Sequence, residues 1–119
     1  MSVKPLSCVL LADRHHGLAE RLRGLLETAF ETVVMVADET SLLEGAIRLQ
    51  PDVAVVDLSL SQSNGFSWLQ ELRVRSPKLK IIVISIHNEP SIRRAVMEAG
   101  ADAFVLKSAI AIDLIAAVD

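Results

Sequence analysis

Four polar residues each follow an apolar run: Asp13 after Ser7–Ala12, Asp57 after Val53–Val56, Ser85 after Ile81–Ile84 and Lys107 after Ala103–Leu106. Singly, each has an ordinary reading. A strand-terminal Asp caps a loop, a Ser forms a turn, and a Lys meets water. Brought to one edge, the four support phosphorylation of a carboxylate. Asp57 is then the nucleophile that forms an acyl phosphate. A hard divalent cation such as Mg²⁺ bridges carboxylate and phosphoryl oxygens. Lys107 meets the phosphoryl group as a point charge, and the Ser85 hydroxyl donates to it.

The elements that position these residues alternate between strand and helix. Val53–Val56 is apolar without alternation, and three of its four residues are β-branched. That is the pattern of a central parallel strand covered on both faces. Ser7–Ala12, Thr32–Ala37, Lys80–Ser85 and Ala103–Leu106 complete five strands. Between them, helical spacing assigns inner faces to Leu18, Leu22, Leu25, Leu26 and Ala29, then to Leu42, Leu43, Ala46, Ile47 and Leu49. A third helix buries Phe66, Leu69 and Leu72, with Trp68 packed at its edge. A fourth, opened by Pro90, buries Ile92, Ala95, Val96 and Ala99 and stops at Gly100. Thr40 or Ser41 is the expected N-cap of the second helix, with Glu44 completing a capping box in the Ser41 case. A loop from Ser59 to Gly65 faces solvent. The last helix starts near Ala109 or Ile110. The expected architecture is a doubly wound five-stranded parallel sheet in a three-layer α/β/α sandwich. All strand carboxyl ends then share one edge, where open α/β sheets place their ligand site.

Composition narrows the function. The 119 residues are 51% hydrophobic and carry a formal charge of −3, which fits one globular domain and gives no electrostatic footprint for nucleic acid. One aromatic, Trp68, without a basic surrounding is not a base-stacking platform. A single cysteine, Cys8, is expected in the core and suits a reducing, cytoplasmic setting. No apolar run reaches membrane-spanning length.

The segments Leu10-Leu11-Ala12-Asp13, Asp52–Asp57, Val83–His87 and Gly100–Ser108 together resemble the receiver domains of bacterial two-component response regulators. The likeness covers residues 1–119 and implies the flavodoxin-like, CheY-like fold. It implies that Asp57 is the phosphoacceptor and Lys107 the invariant lysine. Ser85 and Phe104 match the switch hydroxyl and switch aromatic. Asp13, Asp57 and the backbone carbonyl of Ser59 match the Mg²⁺ ligands. The implied partners are a sensor histidine kinase and a C-terminal helix-turn-helix DNA-binding domain outside this chain, with a homodimer also compatible. Movement of Ser85 toward the phosphate would let Phe104 turn inward. The apolar final helix leads us to expect that the native product continues beyond Asp119.

Two positions depart from the family pattern. Arg14 stands where receivers carry a second acid, usually the direct metal ligand, and Ser61 stands where proline is usual. Arg14 either bridges to Asp13 or Asp57 and fills the metal site, or swings to water and leaves Asp13 to hold a weakened cation. His15 and His16 alongside suggest a transition-metal site, but further ligands are not evident from spacing. An aspartyl phosphohydrolase would need an acid at Ser59, so the chain is not read as an enzyme. A cofactor-binding flavodoxin would need a phosphate cradle after the first strand. The remaining rival is a receiver-like module that docks without phosphorylation.

Overall fold

A computed structural model describes residues 6–60 and 65–118. Five parallel strands form one sheet: β1 (Leu6–Ala12), β2 (Phe30–Val36), β3 (Val53–Asp57), β4 (Lys80–Ser85) and β5 (Ala103–Leu106), in the order β2-β1-β3-β4-β5. The helices are α1 (His16–Leu26), α2 (Glu39–Leu49), α3 (Ser67–Arg75), α4 (Pro90–Ala99) and α5 (Ile110–Val118). This is the expected flavodoxin-like architecture. The strands' two-residue period divides the core. Leu10, Ala12, Ala54, Val56, Ile81, Val83 and Phe104 meet α2, α3 and α4. Val9, Leu11, Val53, Val55, Ile82, Ile84 and Val105 meet α1 and α5. The strand order reverses between β1 and β3, which opens a crevice at their carboxyl ends.

Several local expectations are corrected. Asp38, not Thr40 or Ser41, caps α2: its carboxylate accepts the Ser41 N–H at 2.7 Å, and the helix begins at Glu39. Glu44 therefore has no capping-box place. Ile47 and Leu49 are 45% and 47% exposed, because only Leu42 and Ala46 reach full burial on that helix and Ile47 lines a cleft at the strands' amino ends. Trp68 is a core residue rather than an edge one, 2% exposed and among the largest fully buried side chains. Leu58–Leu60 form a short 3₁₀ turn that buries Leu60, so the loop after β3 is not wholly solvent-facing. Cys8 is half-buried, not a core residue; burial and the Asp52 charge both push its thiol pKa up. Ser61 lies outside the described residues.

One connection was not foreseen. The Arg73 guanidinium donates to the carbonyls of Gly100 (2.8 and 2.9 Å), Leu79 (2.7 Å) and Pro77 (3.1 Å) and pairs with Asp102 at 2.5 Å. It ties α3 to the start of β4 and the turn into β5. Gly100 adopts φ +127°, open to glycine, and a Cβ there would stand 2.9 Å from the Arg73 Cβ.

Candidate functional site

Strand register brings the four polar residues together. Ala12 pairs with Val56, Asp57 with Ile84, and Ser85 with Leu106, so Asp13, Asp57, Ser85 and Lys107 stand on neighbouring strand ends. Asp57, Ser85 and Lys107 line a cleft of about 700 Å³ whose walls also include His15, Ser59 and Trp68, and the buried Asp13 stands next to Asp57. A smaller cleft at the opposite edge, lined by Ile47, Pro51, Arg75 and Lys78 among others, holds none of these groups.

Asp57 is 1% exposed, and both its oxygens are engaged. Oδ1 accepts the Ser59 backbone N–H at 2.9 Å and the Ser59 hydroxyl at 3.0 Å. Oδ2 accepts Lys107 Nζ at 2.6 Å. Burial pushes the Asp57 pKa up, but the hydrogen bonds from Lys107 and Ser59 and the lysine charge outweigh it and hold the carboxyl below its ordinary value. Asp57 is thus a buried, oriented anion. Asp13 is different. Its Oδ1 accepts the His15 N–H at 2.8 Å, while Oδ2 is buried with no hydrogen-bond partner. Burial first, then the Asp57 charge, raise the Asp13 pKa against the opposing His15 bond. A buried carboxylate oxygen without a donor, facing a second carboxylate, is the environment a divalent cation satisfies. The residues therefore fit a dication held by Asp13 and Asp57.

Ser85 is 1% exposed, and its Oγ accepts the His87 N–H at 2.8 Å, leaving its own proton to donate. Phe104 belongs to the core layer that faces α2, α3 and α4. The ring is 7% exposed, with the Arg93 guanidinium 5.5 Å from its centroid.

Arg14 does not enter the pocket. It is exposed, and among the described residues it pairs with neither Asp13 nor Asp57. The bridging alternative is overturned, and the long stem reaches water instead. Its neighbour takes the place. His15 Nδ1 lies 3.3 Å from Asp13 Oδ1 and 3.6 Å from Asp57 Oδ2. Sequence reasoning set this histidine aside for lack of a third ligand. The missing signal was the Asp13 carboxylate accepting the N–H two residues on, which curls the loop and aims the imidazole inward. Ser59 was likewise expected to contribute its carbonyl, yet its N–H and hydroxyl order the Asp57 carboxylate.

The fold and this edge define a flavodoxin-like α/β module with an acidic pocket at the carboxyl ends of its strands. The chain belongs to the response regulator receiver domain family, whose model matches residues 9–119. It is 31% identical over 112 residues to the transcriptional regulatory protein DegU of Brevibacillus brevis, covering 92% of this chain and 48% of that protein. It is 32% identical over 101 residues to the nitrate/nitrite response regulator protein NarP of Escherichia coli (strain K12), covering 83% of this chain and 47% of that one. Among solved structures it resembles a two-component response regulator of the LuxR family from Aurantimonas sp. SI85-9A1, with TM-score 0.85, 25% identity, and coverage of 93% of this chain and 81% of that chain. The chain spans about half the length of the curated relatives it matches. Among the described residues, no helix is long and apolar enough to cross a membrane.

Proposed function

We propose that this receiver domain takes a phosphoryl group on Asp57 from a phosphohistidine of a sensor kinase and relays the change to an output domain. The observation that carries the reading is the state of Asp57: buried, anionic, with one oxygen held by Ser59 and the other by Lys107. A carboxylate oxygen attacks phosphorus, the P–N bond to the donor imidazole breaks, and that imidazole leaves with the electron pair and takes up a proton. As Asp57 loses its charge to the new bond, Lys107 transfers its interaction to the phosphoryl oxygens. Ser85, on the next strand end, turns its hydroxyl proton to one of them. A dication held by Asp13, Asp57 and the Ser59 carbonyl would neutralise charge developing on the phosphoryl oxygens. With Arg14 in place of the usual acid, such a cation has one carboxylate fewer, so Mg²⁺ binds weakly.

The relatives named as transcriptional regulators, and the LuxR-family structure, support a C-terminal helix-turn-helix output domain and a cytoplasmic signalling role. In this role the domain is a switch and not a stand-alone enzyme. A docking module without phosphorylation finds less support, because Asp57, Ser85 and Lys107 are all in place. The test is phosphoryl transfer from a phosphohistidine donor to this chain. Transfer that persists in Asp57→Asn would reject the assignment.

A further inference from the structure

We propose that His15 supplies a nitrogen ligand which, with Asp13 and Asp57, makes the acidic pocket a site for a transition dication of the Zn²⁺ or Co²⁺ class in preference to Mg²⁺. Two independent observations carry this. The first is geometric. One ligand atom from each of Asp13, His15 and Asp57 lies within 4.8 Å of the others. Around a dication with ligands at about 2.0–2.2 Å, neighbouring atoms of a tetrahedron stand roughly 3.4 Å apart. The distances from His15 Nδ1, 3.3 Å to Asp13 Oδ1 and 3.6 Å to Asp57 Oδ2, bracket that spacing. The second is the orphaned acceptor. The Asp13 side chain is fully buried, and its Oδ2 has no hydrogen-bond partner. Such an oxygen is costly unless something positive meets it.

The ligand chemistry then sets the preference. Mg²⁺ asks for oxygen atoms in octahedral array and keeps much of its water. Imidazole suits Zn²⁺ and Co²⁺, and three protein ligands with one open position is the arrangement of a catalytic zinc site. Loss of the second acid at Arg14 removes an oxygen that Mg²⁺ would use, while His15 adds a nitrogen that it would not. Lys107 does not exclude the ion, since the Asp57 Oδ2 that it contacts at 2.6 Å has a second lone pair.

The inference shares Asp57 with the phosphoacceptor reading but does not depend on transfer. It is therefore tested with no phosphodonor present. The chelator-stripped chain is titrated with Co²⁺, read by visible absorption and by quenching of its single tryptophan, Trp68, which lines the same cleft. Mg²⁺ serves as the competitor. We expect one equivalent of Co²⁺ to bind and to resist a large excess of Mg²⁺. His15→Ala should weaken Co²⁺ by about tenfold or more, since even groups that only orient a ligand are worth that much. His16→Ala, altering the neighbouring histidine, should bind as the unaltered chain does. Equal Co²⁺ affinity in His15→Ala and the unaltered chain would overturn the proposal. So would displacement of Co²⁺ by a comparable concentration of Mg²⁺.

Discussion

Replacing Asp13 with Asn should stabilise the metal-free domain. In the folded chain two carboxylates share a pocket with ligand atoms within 4.8 Å of each other. At that separation and an effective dielectric near 20, two unit charges repel by about 3 kcal/mol. Lys107 offsets part of this, although it sits on Asp57 and reaches Asp13 only through the field. An Asn keeps an oxygen for the His15 N–H and places an amide toward Asp57, so a repulsion becomes a hydrogen bond. The expected gain is about 1–2 kcal/mol near neutral pH. Its pH dependence follows from the raised Asp13 pKa. As pH rises past the unfolded value of 3.8, the unfolded chain loses this proton first and the native state loses stability until its own carboxyl has ionised. The advantage of Asp13→Asn therefore grows across that window, is complete above it, and vanishes below it. Urea unfolding in chelator-containing buffer, at neutral pH and again in acid, measures both. A variant no more stable than the unaltered chain at neutral pH would refute the reasoning.

Three further outcomes are expected. Lys107→Ala leaves Asp57 buried without its cation and should cost about 3 kcal/mol near neutral pH. The lowered Asp57 pKa stabilises the fold above the unfolded pKa and stops doing so as pH falls, so urea midpoints of the two chains should converge in acid. Gly100→Ala forces a side chain into φ +127° against the Arg73 Cβ and should lose about 2 kcal/mol; a melting temperature unchanged from the parent would contradict this. Arg14→Asp restores an acid beside Asp13 and should strengthen Mg²⁺ binding, read from amide chemical shifts. Identical Mg²⁺ titrations in both chains would show that this acid is not what the site lacks.

The sheet was legible because β1, β3, β4 and β5 are largely apolar runs followed or ended by a polar residue, and parallel pairing leaves such ends no alternative but one edge; β2, with Glu31 and Thr32 inside it, is the weaker signal. Asp13, Asp57, Ser85 and Lys107 followed from that alone. What escaped depends on direction rather than type. Whether Arg14 or His15 enters the pocket is decided by a hydrogen bond between the Asp13 carboxylate and a backbone N–H, which no periodicity encodes. The Arg73 clasp gathers carbonyls from a turn nearby and from a glycine 27 residues away, so helical spacing marks it only as a polar face. Trp68 was placed at the edge because it lies beside the Phe66–Leu69–Leu72 stripe. The indole is large enough to reach the core from there.

The central claim is that Asp57 is the phosphoacceptor, and intact-mass spectrometry tests it most directly. The chain is incubated with a small-molecule phosphodonor, with and without added dication, and weighed beside Asp57→Asn. The expected result is a gain of one phosphoryl group in the unaltered chain, greater with the dication, and none in Asp57→Asn. Phosphoryl gain in Asp57→Asn, or none in the unaltered chain under any dication, would contradict it.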